Sequence, residues 1–503
     1  MAIAKICGIE TEFGIVQRGV DEQNPITASS ILINAYMASL RNGDVVSPDQ
    51  RPDWDFDHES PGQDARGFST SGASPPEVET HLVNAVLTNG ARYYVDHAHP
   101  ELSTPECTNA RSIVVFDRAA EQILVESMRA ADAILPPGQS IVVYKNNSDG
   151  KGNSYGCHEN YLLDRHLPFG QIVRHITPHF ITRQLFCGAG KVGNELGLDT
   201  EILPYQLSQR ADFFEEEVGL ETTLKRPIVN TRDEPHADPL KYRRLHVIIG
   251  DSNMSETATF LKVGTTVFAL AMIEDNWLPT SFDFVSPVGA VRQVSADLSL
   301  RQPLALRDGT SIRAIEVQRE LFERATDWAS VHGFENVGGE SVGADVLAQW
   351  GEVLDALESN HAVLADRVDW IAKYRVIEGY RERHDLKWGD VRLHALDLQY
   401  HDLRPEKSLA SRIGLRTFCT DDEISKAKTE PPLDTRAFFR GKCLAKFPGE
   451  IISANWDSMV FDVGGDTLRK VPMMEPSRGT AAHVASVIER STTAAELLHQ
   501  LDS

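Results

Sequence analysis

Between Asn89 and Cys107 the chain reads NGARYYVDHAHPELSTPEC. Arg92, Tyr94 and Asp96 alternate at i, i+2 and i+4, so an extended backbone turns all three to one face. Tyr93 and Val95 then point the other way, towards a core. Strands prefer Val, Ile and Thr where they pack, and a buried charge is strongly unfavourable unless it is paired or bound to a metal. A carboxylate between an arginine and a His–Pro turn, with Glu101 just beyond, therefore marks a face built to hold something charged.

Other segments carry matching chemistry. In GIETEFG, Glu10 and Glu12 lie two apart and share a face; two such carboxylates repel unless a cation sits between them, and Mg²⁺ takes oxygen ligands of this kind. Alone, this pair also fits a solvent-facing edge strand. In the 92–101 run, Glu101 suits metal and Arg92 suits phosphate oxygens, which leaves Asp96 as base or nucleophile. In KNNSDGKGNSYGCHENY, 145–161, Gly, Asn and Ser precede a short strand, as in a loop over polyanionic groups. His158 and Glu159 fall on opposite faces, and His158 is the one assigned to the site, as metal or phosphate partner.

Further on, a strand over 226–233 aligns Arg226, Asn230 and Arg232, and the next aligns Arg244, His246 and Ile248. Arg232 with His236 and His246 brings positive charge, where an acidic substrate or ATP phosphates can bind. In SANWDSMVFD, 453–462, Trp456 fits either of two roles: core packing, the commoner one for a lone Trp, or stacking on an adenine ring, with Asp457 and Ser458 near the ribose.

The formal net charge of −23, from 50 Lys+Arg against 73 Asp+Glu, argues against nucleic acid as the main partner. It leaves room for an anionic ligand in a local cationic pocket. The six cysteines are scattered with no CxxC, which argues against a disulfide framework or a cysteine zinc site. Acids stand where a signal peptide would be apolar, and no apolar run approaches the roughly 20 residues that span a bilayer. The expectation is a cytoplasmic protein with no membrane association.

A strand is expected over 3–15, then a polar, Pro/Gly/Asp-rich insertion of extended loop over about 44–76. A helix is expected over 77–87, stopped by Asn89-Gly90, and another over 111–133. Strands follow near 140–145, 157–163, 226–233 and 243–250, and helices over 255–274, 313–333 and 343–374. The polar stretch Thr420–Pro432 suggests a boundary near 430, dividing a catalytic domain, 1–430, from a small α/β domain, 431–503, that ends in a helix near 480–501.

Taken together, GIETEFG, RYYVDHAHPE, GNSYGCHENY and NTRDEPHADPLKYRRLHVIIGDSN resemble the Pup ligase and Pup deamidase family of actinobacteria. That family is a branch of the glutamine-synthetase-like carboxylate–amine ligases, and the match runs from residue 3 to the C-terminus. The insertion, with WDFDHESPGQDARGF at 54–68, and the spacing DHAHP resemble the deamidase rather than the ligase. The resemblance implies an α+β fold: a glutamine-synthetase-like large domain whose curved antiparallel sheet, backed by helices, cradles ATP and a divalent metal, plus a small C-terminal α/β domain on the adenine side.

Carried over residue by residue, Glu10, Tyr94 and Glu101 would bind Mg²⁺, Asp96 would be the catalytic carboxylate, and Arg92, Thr104 and Trp456 would contact ATP. Strand geometry extends the metal set to Glu12 and His158, and the ATP set to Arg232 and His246. The implied activity is ATP- and Mg²⁺-dependent hydrolysis at the side-chain carboxyl of Pup's C-terminal residue. It would turn a terminal Gln into Glu and release Pup from lysines of pupylated proteins. ATP, or ADP plus phosphate, would be a cofactor. Asp96 as nucleophile, Asp96 as base, and phosphate as the attacking group all stay open. The alternative function is a Pup–protein ligase. A groove for acidic Pup is assigned to Arg226, Arg232, Lys241, Arg243 and Arg244, and the insertion is read as a cover over the site.

Overall fold

The computed structural model describes residues 1–40, 52–56, 59–69, 82–278, 282–465 and 467–502. Its site rests on strands β1 (Cys7–Glu12), β2 (Asn84–Val86), β3 (Arg92–Asp96), β4 (His99–Ser103), β5 (Cys157–Asp164) and β6 (Tyr242–Val247). They form one antiparallel sheet in the order β6-β5-β1-β4-β3-β2. Alternation sorts the side chains: Cys7, Ile9 and Thr11 of β1 are buried while Glu10 and Glu12 face the other side, and Tyr93 and Val95 of β3 are buried opposite Arg92, Tyr94 and Asp96.

Three helices close the apolar side: α1 (Pro25–Ser39), α2 (Ala110–Asp132) and α3 (Glu256–Glu274). Tyr93, Val95 and Leu102 pack with Leu32 and Tyr36 of α1 and with Ile123 and Leu124 of α2. Ile9, Tyr161, Leu245 and Val247 pack with Phe260 and Leu261 of α3. Asn109 starts α2 by accepting the Ser112 N–H at 2.9 Å, and Ser255 starts α3 by accepting the Ala258 N–H at 3.2 Å. Each bond satisfies a first-turn donor that has no partner within the helix. By length and composition α3 could cross a membrane, yet it is wholly buried here as a core helix.

Near the C-terminus, Ile451–Ala454, Ser458–Phe461 and Arg469–Pro472 form a small antiparallel sheet. Its apolar side chains, among them Ile451, Met459 and Phe461, share a core with Phe439, Ile488 and Leu497. The insertion contributes to this sheet. Asp53–Trp54 is a short strand parallel to Ile451–Ala454, where an extended loop was expected. An exposed sheet edge offers unpaired N–H and C=O groups, and this segment takes them.

Other expectations need similar correction. Residues 84–86 are the edge strand β2 rather than the end of a helix, because the open edge of β3 captures them; residues 77–81 lie outside the described residues. The helix expected over 343–374 is two, Gly339–Ser359 and Asp369–Arg383. Asn360 ends the first by accepting the Ala362 N–H, the competition with helix geometry that short amide side chains offer. The final helix also splits, into Ala481–Arg490 and Ala494–Leu501, with Thr493 capping the second.

Candidate active site

The polar face of the sheet is an ordered grid. One row runs across four strands through Arg92, Ser103, Glu10 and His158, and the next runs through Tyr94, Glu101 and Glu12. Asp96 ends β3 opposite His99, and Asn160 of β5 faces His246 of β6. Residues from five segments thus meet because antiparallel registers bring their alternating positions into line.

Two groups of three have ligand atoms all within 4.8 Å of one another: Glu12, Asp96 and Glu101, and Glu10, His158 and His246. The first offers only carboxylate oxygens, which suits a hard cation such as Mg²⁺. The second includes two imidazoles, donors more at home with softer divalent ions. Tyr94 lies in the row of Glu101 and Glu12, with its phenol held neutral by burial, reinforced by the nearby Glu101.

Electrostatics separates the acids. Burial pushes Glu101 well above the usual carboxylate range, and the charges of Asp96, Glu12 and Glu10 add to the shift. Burial acts the same way on Glu10, but His158, whose Nδ1 is 3.6 Å away, outweighs it with help from His246 and Arg244, so Glu10 stays well below that range. Asp96 is also held low: burial is outweighed by His97, whose Nδ1 is 3.0 Å from Oδ2, and by His158 and Arg92. His97 makes this contact from a left-handed backbone, φ 51°, a conformation that non-glycine residues adopt at a cost and that clusters at functional sites. Asp96 is thus an ionised carboxylate fit to act as base or nucleophile.

Two clefts meet at Asp96 and His158. One, of about 250 Å³, is lined by Glu10, Arg92, Glu101, Arg232 and His246, with Phe56 and Glu59 of the insertion on its wall. The other, of about 440 Å³, is lined by Glu12, His99, Asn153, Arg210 and Arg226. A third pocket lies between Gly8, Thr104, His236, Arg436 and Trp456. There the Thr104 hydroxyl accepts the Ile9 N–H at 3.1 Å, and the Arg440 guanidinium sits 5.0 Å from the Trp456 ring centre.

Not every residue singled out in the sequence reaches these clefts. Arg243 turns to the opposite face of β6 from Arg244, where it donates to the Leu167 carbonyl and lies 3.6 Å from Asp233. Lys241 is engaged at the surface by Glu475 and Asp238. Arg244 faces the site but is committed to the Glu234 carbonyl and to Asn160. The positive charge expected of His236 and His246 is not there. Burial pushes His236 down to about 3 despite the neighbouring Glu234, and burial with the charge of Arg244 holds His246 well below the ordinary imidazole range.

Other residues join the site unannounced. Asn160 is a hub: its amide donates to Glu10 at 2.8 Å, and its oxygen receives Arg244 at 2.7 Å with His246 Nδ1 3.0 Å away. It lies two positions after His158, so strand alternation alone would have found it. Glu234, held at about 2 because His236, Arg232 and Arg244 outweigh burial, accepts from Arg232 Nε at 3.0 Å. The insertion, read in the sequence as a cover, brings Trp54 and Glu59 to Arg92.

Clustered carboxylates on one face of a helix-backed antiparallel sheet define the class, an α+β enzyme of the glutamine-synthetase-like kind. The model of the Pup-ligase protein family matches residues 5–460, and the chain belongs to that family. A depupylase of Acidothermus cellulolyticus is 51% identical over 508 residues, covering 99% of both chains. A Pup deamidase/depupylase of Mycolicibacterium smegmatis is 44% identical over 506 residues, again with 99% of both covered. Among solved structures, the complex of the prokaryotic ubiquitin-like protein Pup with its ligase PafA superposes with a TM-score of 0.80 at 31% identity, covering 99% of this chain and 94% of that one. PafA in complex with ADP gives 0.73 at 35% identity, over 83% of this chain and 90% of that one.

Proposed function

We propose that this enzyme hydrolyses side-chain amides at the C-terminal residue of Pup, deamidating a terminal Gln to Glu and cleaving the isopeptide bond in pupylated proteins. Both bonds are amides of the same side-chain carboxyl, so one site can serve both. The observation that carries the reading is the ionised Asp96 at the junction of two clefts, each lined by acids and by two arginines. The depupylase relatives, similar over their full length, support it.

Glu10, Tyr94 and Glu101, extended by Glu12 and His158, would hold Mg²⁺ and leave Asp96 uncoordinated as the catalytic carboxylate, and the ion would supply a Lewis acid near the scissile carbonyl. Arg92, Arg232 and His246 would face the phosphates of ATP, and Thr104 and Trp456 its base and ribose. Asp96 either attacks the amide carbon, expelling ammonia or the lysine amine and giving an anhydride that water opens, or takes a proton from the attacking water; the third route has phosphate as the attacking group. His97 orients the carboxylate in the first two cases. The Pup groove is read as including Arg226 and Arg232, the two cations of the assigned set that line the clefts meeting at Asp96. The chain is read as a catalytic domain, 1–430, and a small domain, 431–503.

The alternative is a Pup–protein ligase, favoured by the likeness to PafA. Mass spectrometry of Gln-ended Pup, incubated with enzyme, Mg²⁺ and ATP beside an Asp96→Asn control, separates the two. Conversion of the terminal amide to acid, lost in the control, is expected. Attachment of Glu-ended Pup to a lysine protein, with matching ADP release and no deamidation, would establish the ligase.

A further inference from the structure

Between Glu256 and Glu274 the core helix α3 carries a single charged residue, Lys262. It is 0% exposed, and no carboxylate lies within ion-pair distance of it among the described residues. Its Nζ donates to the Asp251 carbonyl at 2.7 Å and to Cys157 Sγ at 3.4 Å, which leaves the third ammonium hydrogen without an acceptor. Cys157 is 1% exposed and opens β5 directly before His158. Its sulfur also receives the hydroxyl of Thr11, its register partner between Glu10 and Glu12, at 3.8 Å. Elsewhere deeply buried lysines are matched by acids: Lys5 by Glu274, Lys145 by Asp117 and Glu121, and Lys373 by Asp397. Burial opposes the charge of Lys262, but Cys157, Glu159 and Cys187 outweigh it and hold the amine above the ordinary lysine range. A sulfur stands here where the other buried lysines have a carboxylate.

We infer that Lys262 and Cys157 are a redox pair that closes into a covalent nitrogen–oxygen–sulfur bridge, a modification site behind the catalytic sheet. The oxidant is dioxygen. One of its atoms ends between Nζ and Sγ, and the other leaves as water, carrying the thiol hydrogen and one amine hydrogen. Nitrogen and sulfur each give up two electrons, and dioxygen takes all four. The extra proton of the ammonium passes to solvent. Oxidation at sulfur removes a group that sustains the ammonium, which frees the amine to react. The 3.4 Å gap is too long for a direct bond, and one bridging atom spans it with a small shift. Asp251, whose carbonyl Lys262 holds, lines with Cys187 a cavity of about 10 Å³, roughly the room that one water-sized molecule needs. The bridge ties α3 to the start of β5 and draws Nζ off Asp251. His158 is the next residue, and the Asp251 carboxylate holds Ser208 and Gln209 just before Arg210 of the cleft. The reduced form should therefore be the active one and the bridged form the slower. The bridge stands by itself; only its effect on turnover rests on the hydrolase reading.

Wild type is exposed to dioxygen, or kept anaerobic with a dithiol, then digested and analysed by mass spectrometry, with turnover of Gln-ended Pup measured on the same samples. After oxygen, the peptides of Cys157 and Lys262 are expected joined, heavier than their sum by one oxygen and lighter by two hydrogens. Two molecules of dithiol return the four electrons and separate them again. Displacing a site residue by a fraction of an ångström is costly, so turnover of the bridged fraction should fall about tenfold and recover on reduction. Cys157→Ser, compared with itself before and after oxygen, should show neither the joined peptides nor the fall. Separate peptides with an alkylatable Cys157 after oxygen overturn the pair. So does Cys157 in a disulfide with Cys187, or as a sulfinic acid beside an unmodified Lys262. A bridge that leaves turnover as it was would overturn its regulatory effect. A bridge formed in protein that converts no Gln-ended Pup even when reduced would sink the hydrolase reading and keep the redox pair.

Discussion

The Arg92 guanidinium lies 3.9 Å from the centre of the Trp54 ring, so the insertion holds a cation of the site's polar face. The Tyr94 ring lies at the same distance, and the Glu59 carboxylate is 3.9 Å from Arg92 Nη1. If Arg92 serves phosphate oxygens, Glu59 competes with them. Glu59→Gln removes the charge and can still accept from Trp54 Nε1, a bond of 2.7 Å in the wild type. A partly exposed ion pair is weak, so ADP should bind about threefold tighter in this variant. Calorimetric titration with ADP checks this; unchanged or weaker binding would show that Glu59 does not compete.

The acids Glu12, Asp96 and Glu101 strain the face when no cation offsets them. Glu101→Gln replaces a buried acid that already resists ionisation with a neutral amide of nearly the same shape. Its metal-free melting temperature should equal or exceed that of wild type. Saturating Mg²⁺ should raise the wild-type Tm by a few degrees, since ligand at about 100 times its Kd adds about 2.7 kcal/mol, and should raise that of the variant much less. Scanning fluorimetry across a Mg²⁺ series reads both quantities. Equal Mg²⁺ responses would remove Glu101 from the metal set.

A Cβ at Gly156 would lie 2.2 Å from His158 Nε2 and 2.7 Å from its Cδ2, so only glycine leaves this imidazole where it is. In Gly156→Ala the ring must move, which is easier than moving backbone. We expect a modest stability loss, about 1 kcal/mol, together with a fall of about tenfold or more in kcat/KM for Gln-ended Pup. A large stability loss with retained turnover per folded molecule would mean that the position of His158 is immaterial.

How far the sequence could be read depended on the range of the signal. Alternation in Arg92–Asp96, Glu10–Glu12 and after His158 is local, and the structure keeps those faces as the sequence suggests. Asn84–Val86 has the composition of a helix end, and only a strand elsewhere in the chain decides otherwise. Arg210 sits in a short 3-10 turn, Ala211–Phe213 with Arg210 before it, where no period of two or of 3.6 signals a face. Histidines near arginines suggest positive charge in a sequence, but the burial that keeps His236 neutral belongs to the folded state. The contact between Trp54 and Arg92 requires the insertion to lie against the C-terminal sheet, which no local pattern encodes.

Glu106 ties the C-terminal segment to the sheet. It accepts from Arg436 Nε at 2.7 Å and from Arg440 Nη1 and Nη2. Burial pushes its carboxyl up, but Arg440 and Arg436 outweigh that and bring it down to about 2 from an ordinary 4.5. A depressed folded-state pKa contributes stability that is complete above about pH 4.5 and lost as pH falls towards about 2. The difference corresponds to on the order of 3 kcal/mol. Wild type should therefore lose about that much stability, relative to Glu106→Gln, between pH 5 and pH 2. At pH 7 the variant should be less stable by about 3–5 kcal/mol, because it leaves two buried guanidiniums without a carboxylate. Urea unfolding followed by tryptophan fluorescence, which includes Trp456 beside Arg440, gives both curves. Parallel pH dependence in the two proteins would show that the clamp does not hold Glu106 ionised.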